Sequence, residues 1–201
     1  MIDLDAATVL LQWATGGLFF LWVTGRRREV GIGYGWTMRI PFGLMAAGGV
    51  AVGVLFEPQP VRDTFGALML GATMVALGVS AVRRKAGVTG QRGTEERRTA
   101  RVAAMTGIDK DAQTFSDGPE FPAHLDLLAP LLGVVALVAG GIHAGDPAWL
   151  SVARVLIGAL FLGAISDAML LGHWYLVQPG LARGPLIELG WWSGLLWPFE
   201  L

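Results

Sequence analysis

The 201-residue chain contains no cysteine. Disulfides, thiolate zinc sites, iron–sulfur clusters, covalently attached c-type haem and S-palmitoylation are therefore excluded within it. Charge is also short. Only 15% of the residues are Asp, Glu, Lys or Arg, against about 25% in an average soluble domain. Catalytic signatures are missing too: no Walker loop, HExxH, GxSxG or dinucleotide fingerprint opening a helix after a strand can be found. What is abundant is apolar, at 53% of the chain, together with 29 glycines. The length would suit one or two soluble domains, but it also suits several bilayer spans of about 20 residues each.

Five apolar runs stand between polar breaks: Ala6 to Thr24, Pro41 to Phe56, Phe65 to Val82, Leu127 to Ile142, and Trp149 to Val177. Pro41 suits a first helical position, and Pro130 interrupts the fourth run near its start. The fifth run is bracketed by Pro147 and Pro179 and holds only Arg154, Asp167 and His173 as polar breaks. As a helix its roughly 30 residues measure about 45 Å, so it tilts in, or projects from, a hydrocarbon layer of about 30 Å. Leu186 to Leu201 is a sixth candidate. It carries Glu188 and Glu200 beside Trp191, Trp192 and Trp197, and reads either as a short span or as a Trp-rich helix lying in the interface.

The few charges are placed unevenly. Arg26, Arg27, Arg28 and Arg39 follow the first run. Arg83, Arg84, Lys85, Arg92, Arg97, Arg98, Arg101 and Lys110 follow the third, and Arg183 follows the fifth. These alternate connections hold 13 of the 15 Lys and Arg residues. The positive-inside rule then predicts an external N-terminus and cytoplasmic basic loops. MIDLD, with Asp3 and Asp5 where a signal peptide would be positive, agrees with an uncleaved N-out anchor. No internal repeat of the kind seen in inverted-repeat transporters is evident.

Lipid tails do not drive apolar helices together, so close packing depends on small residues. Gly49-xxx-Gly53, Ala136-xxx-Gly140 and Ala164-xxx-Ala168-xxx-Gly172 form such ridges, suited to packing within one bundle or to contact with another subunit.

Asp167 is the one acid deep within a run. On insertion scales a mid-membrane Asp costs about 2.5–3.5 kcal/mol. The ten Leu, Ile, Val and Phe residues between Val152 and Leu171 return about 0.3–0.6 kcal/mol each, so the run inserts despite it. Ala159, Gly163 and Asp167 share a helix face, with Trp174 two turns on. This makes Asp167, His173 and Trp174 a candidate intramembrane polar site for a proton, a cation or a polar ligand; the alternative is a carboxyl hydrogen-bonded to a neighbouring helix. Ser166, Asp167 and His173 form no hydrolytic triad, because His173 lies about 240° round the helix from Asp167. His124, at a depth comparable with His173, makes a conceivable b-haem pair with it; Pro122 and Pro130 make the His124 region irregular for that role.

Arg83 to Asp126 is longer than a connection needs. Its basic first half suits anionic headgroups, and Thr94 is placed to cap a short helix there. With no aromatic interleaving, no nucleic-acid partner is expected. In the acidic second half, Asp109, Asp111, Asp117 and Glu120 occupy positions 1, 3, 9 and 12 of a calcium loop. Gln113 at position 5 is tolerable, but Thr114 stands where the turn needs Gly and Pro119 obstructs an exiting helix. A solvated acidic turn explains these residues, and no metal or cofactor is expected.

RRREVGIGYGW (Arg26 to Trp36) and LLGHWYLVQPGL (Leu170 to Leu181) resemble stretches of multi-pass membrane proteins from GC-rich bacteria whose activity is uncharacterised. The resemblance implies the general helix layout and carries no catalytic residue or substrate. The glycines of GIGYG lack the strand–helix frame of a phosphate-binding loop.

The expected architecture is an all-α, polytopic transmembrane helix bundle of five spans with a candidate sixth. It comprises a three-span segment over 1–82, a cytoplasmic loop over 83–126 and a two- to three-span segment over 127–201, all one membrane domain. The leading expectation for function is a non-enzymatic accessory or scaffolding component of a complex in the bacterial inner membrane, contacting lipid, other subunits or its own copies. A small-solute or proton-coupled transporter using Asp167 is the alternative, and a b-haem redox protein using His124 and His173 the third reading.

Overall fold

A computed structural model describes residues 3–86, 88–107, 119–177 and 181–200. Among the described residues every regular element is a helix: α1 (Ala6–Gly25), α2 (Ile32–Phe56), α3 (Pro60–Val82), α4 (Thr89–Thr106), α5 (Leu125–His143), α6 (Ala148–Val177) and α7 (Gly184–Leu196), followed by a 3₁₀ turn at Trp197–Phe199. Five of them, α1, α2, α3, α5 and α6, are long and apolar enough to cross a membrane.

The first helix is the hub. It packs against α2, α5 and α6, while α3 closes against α2 and α5. Its start is fixed by Asp5, whose Oδ1 accepts the Thr8 N–H at 2.7 Å, filling one of the donors that a helix N-terminus leaves open. The crossing of α1 over α6 is a backbone contact: a Cβ on Gly16 would run into the Ala159 carbonyl, and one on Gly163 into the backbone of Gly16. Only glycine permits that approach. The predicted ridges of α2 and α5 are also consumed inside the bundle. Gly49 faces Leu11, Gly53 faces Arg62 and Asp63, and Gly140 faces Thr8.

Both ends of the bundle are tied by buried charge. At the N-terminal end the wholly buried Arg62 donates from Nε to Asp63 Oδ1 at 2.9 Å and from Nη1 to Asp5 Oδ2 at 2.7 Å. Its Nη2 reaches the Glu57 carbonyl at 2.8 Å. All three guanidinium nitrogens are thus engaged, which is the condition for burying a charge at tolerable cost. At the other end, Arg39 grips Asp126 with Nε–Oδ1 at 2.8 Å and Nη2–Oδ2 at 2.7 Å, and its guanidinium lies 4.5 Å from the centre of the Phe121 ring. Nearer solvent, Arg26 and Arg27 share Glu188, and Arg28 binds Glu120 at 3.2 Å.

These pairs explain where the helices depart from the expected boundaries. The second helix begins at Ile32, so Pro41 lies within it rather than at its first position. Proline removes one N–H bond there, which membrane helices tolerate when the freed group is packed. The fifth helix likewise runs from Leu125 through Pro130. Part of the long basic connection is itself helical. The fourth helix starts at Thr89, so Thr94 falls inside it and not at its cap. It stops at Gly107, whose φ of 66° supplies the left-handed residue of a common helix end.

The sixth candidate segment stands along α6 rather than lying flat across the bundle end. Glu188 meets Arg26 and Arg27 at the basic end, Trp192 packs on Phe20, and Trp197 packs on Phe161. Further on, Glu200 reaches Gly158. At 13 residues, α7 alone is shorter than a span needs. Together with the 3₁₀ turn it extends over about 24 Å.

Candidate functional site

Asp167 sits two thirds of the way along α6 and is completely buried, and neither carboxyl oxygen meets a hydrogen-bond donor among the described residues. Ser166 beside it is already engaged, accepting from the Trp13 indole Nε1 at 2.7 Å. The polar groups next to it come from three helices and meet at Tyr34. Tyr34 of α2 points its hydroxyl at the Asp167 carbonyl oxygen at 3.5 Å, long for an O–H···O bond. Thr24 of α1 stands beside that hydroxyl, and its own Oγ1 is buried without a bond of good geometry. The Trp174 ring lies 6.2 Å from the Tyr34 ring, and its Nε1 is buried and unpartnered.

The local sequence explains how Tyr34 and Trp174 come together. A Cβ on Gly33 would stand 3.0 Å from the tip of the Trp174 indole, so glycine leaves the ring its place. Gly35 does the same for Arg39, whose guanidinium occupies the space a side chain would need. GIGYG is thus a packing device that seats one aromatic ring and one guanidinium.

The arrangement is a carboxyl, a phenol, a hydroxyl and an indole N–H in a buried interior, with no cation paired to the acid among the described residues. Unpartnered buried polar atoms are rare and each asks for a reason. Chemically the group can hold and pass a proton, or meet a polar ligand with donors and acceptors. Nothing in it resembles a nucleophile with its activating base.

Of the three residues expected to form this site, the structure brings Asp167 and Trp174 to one neighbourhood and leaves His173 out. His173 is exposed, with Nδ1 facing the Met169 carbonyl at 3.1 Å. Tyr34 and Thr24 were not foreseen as members. The glycines flanking Tyr34 were the available signal, since paired glycines around an aromatic residue mark a close helix approach.

The suggested haem pair fares differently. His124 is exposed in the residue before α5, and none of the four cavities described is lined by His124 or His173. Two exposed imidazoles with no shared cavity do not enclose a haem. Asp109, Asp111 and Asp117 of the calcium-loop reading lie outside the described residues, while Glu120 is engaged by Arg28. Among the described residues no group of three or more His, Asp or Glu side chains is placed to hold a metal ion.

A second polar cluster is built on the pair that the sequence treated as loop markers. Arg39 and Asp126 border a cavity of about 40 Å³ together with Tyr34, Gly35 and Phe121. Arg39 Nη1 is buried without a partner. The space suits two or three water molecules, at about 10–15 Å³ each. No family model matches the chain, and no curated protein and no solved structure is similar to it.

Proposed function

We propose that this integral membrane protein is a non-enzymatic structural component, an accessory or scaffolding subunit that presents a fixed helical surface to other membrane subunits. The observation that carries this reading is the pair of buried clamps. Arg62 with Asp5 ties α3 to α1 at one end, and Arg39 with Asp126 ties α2 to α5 at the other. A carrier must rock one bundle against another around its site, and clamps at both ends oppose such rocking. Glycines with open space above them also support the reading: Gly71 and Gly78 on α3, and Gly190 and Gly194 on α7. They flank the exposed Val75 and Trp191, where a neighbouring helix backbone can approach.

The placement of cations supports a cytoplasmic location for the basic end and an external N-terminus in a bacterial inner membrane. A reporter joined at Gly93 is then protected from externally added label; labelling from outside overturns the orientation. For the partner reading, photoreactive residues replacing Val75 and Trp191 are expected to give cross-linked adducts of discrete mass. A species that remains monomeric after extraction in mild detergent, with no adduct from either position, overturns it.

A second reading rests on Asp167. A buried carboxyl without donor or cation is a costly feature for a purely structural helix, and this supports a proton-binding role within the bundle. Asp167→Asn in proteoliposomes, read by a trapped pH-sensitive dye, is expected to abolish any proton flux that the unaltered protein carries. Equal flux through both proteins overturns this role.

A further inference from the structure

The cavity beside Arg39 lies at the basic end of the bundle, where α2 begins. Nε and Nη2 of Arg39 hold Asp126, which leaves Nη1 buried and without a partner. Long side chains on a helix lean back toward its N-terminus, and Nη1 accordingly lies against Gly35, one turn before Arg39. The Phe121 ring covers the guanidinium at 4.5 Å. Gly35 and Phe121 both line the cavity, so the free edge of the guanidinium borders the open space.

Further donors meet the same space. The N-cap of α2 is Gly31, which has no side chain to accept a hydrogen bond. In the first turn the Tyr34 N–H finds the Gly31 carbonyl at 3.0 Å, while the N–H groups of Ile32 and Gly33 find no acceptor among the described residues. Gly31, Ile32 and the half-exposed Arg28 line the cavity. A helix N-terminus with open N–H groups carries a partial positive charge and attracts anions.

The charges nearby do not balance. Arg39 is paired with Asp126 and Arg28 with Glu120. Arg83 also reaches this place, donating from Nη1 to the Glu120 carbonyl at 2.8 Å, and has no carboxylate partner among the described residues. Glu29, beside Arg28 in the chain, points to Gly184 next to Arg27. Three guanidinium groups therefore stand against two carboxylates, an excess of one positive charge beside the open donors. Water satisfies Nη1 but leaves the excess charge, whereas one monovalent anion answers both. The volume of about 40 Å³ admits a monatomic ion in place of two or three waters and is too small for an organic acid such as gluconate.

We propose that this cavity binds one monovalent anion of halide size. Arg39 Nη1 and the Ile32 N–H donate to it, Arg28 adds its charge, and the buried Val88 and Phe121 shield it from solvent. The anion thereby joins the first turn of α2 to the segment that leads into α5.

The test follows the unfolding temperature of the full-length protein in mild detergent as sodium chloride or bromide replaces sodium gluconate at constant ionic strength. An ion that binds the folded state alone stabilises it by mass action. Both halides are expected to raise the unfolding temperature above that in gluconate, with the concentration dependence of a single site. Arg28→Gln cancels the excess charge, and it is expected to raise the half-effect concentration about tenfold. Arg84→Gln removes an exposed cation outside the cavity and is expected to leave that concentration in place. Equal unfolding temperatures in halide and gluconate mean that water alone fills the cavity, and they overturn the proposal. A halide effect that both variants weaken alike is general screening of the basic end and also overturns it, as does an effect that neither variant changes.

Discussion

Arg39 of α2 and Asp126 of α5 meet in a two-pronged ion pair while both side chains stay almost wholly buried, at 3% and 5% exposure. The two residues are 87 positions apart, and the bond joins helices that are not consecutive. Buried pairs of this kind cost much to assemble and more to break, because loss of one partner leaves the other uncompensated.

Arg39→Met is therefore expected to destabilise the bundle by about 3–5 kcal/mol. Replacing both partners, Arg39→Met with Asp126→Leu, removes the stranded charge and recovers most of that loss. Thermal or denaturant unfolding in detergent checks the difference. A double variant as unstable as the single one would count against the pair as the cause.

At the opposite end Asp5 has two tasks, capping α1 and neutralising Arg62. Asp5→Ala loses both, with a cap worth about 0.5–2 kcal/mol and a hydrogen bond to a charged group worth about 1.5–3 kcal/mol. Asp63 keeps Arg62 partly compensated. Asp5→Asn retains a capping oxygen and should fall between the two in unfolding temperature.

The helix crossing at Gly16 and Gly163 makes a contrast available within α6. Gly163→Ala drives a methyl group into the Gly16 backbone, an overpacking expected to cost about 1–3 kcal/mol. At Gly172 a methyl group would meet nothing within 4 Å, and Gly172→Ala should be neutral or stabilise by up to about 1 kcal/mol. Equal effects at the two positions would contradict the crossing.

Glu188 gives the bundle a pH dependence with a definite sign. It lies level with Arg26 and Arg27, just past the end of α1 and outside the apolar layer. Partial burial pushes its carboxyl up, but the hydrogen bonds and charges of Arg27 and Arg26 outweigh this and hold it below its ordinary value of 4.5. A carboxyl depressed in the folded state stabilises fully above its unfolded value, and the stabilisation is lost as pH falls through the folded value. Both arginines are more than 40% exposed, so solvent screening keeps the contribution of these ion pairs small. The unfolding-temperature difference between the unaltered protein and Glu188→Gln should be constant near neutral pH and vanish in acid. A difference that shows no decline as the pH is lowered from neutral through the acid range would sink this assignment.

The apolar runs at both ends of the chain were legible almost to the residue. Ala6 to Thr24 corresponds to α1, which ends at Gly25, and Trp149 to Val177 to α6, which starts at Ala148. Where the boundary slipped, a buried charge was the cause. The second helix begins nine residues before Pro41, because Arg39 reads as a loop cation until Asp126 neutralises it. The third begins at Pro60 and takes in Arg62 and Asp63, and the fifth takes in Asp126. A one-dimensional hydropathy reading counts each charge at its full cost, and it cannot see a partner from another helix cancel it.

Asp167 as the one acid of the long fifth run was likewise legible, since a lone carboxyl in a largely apolar stretch of about 30 residues needs no fold to be noticed. That Tyr34 reaches its backbone carbonyl with Thr24 beside the phenol, while His173 turns away, depends on how α1, α2 and α6 rotate about their axes. Composition and period leave this rotation open. By itself, the sequence determined the class of molecule and the number of long helices, because the cost of exposing or burying backbone and charge accrues residue by residue. The tertiary structure decided which charges are paired and which small residues touch, because ion pairs and glycine contacts exist only between helices already in place.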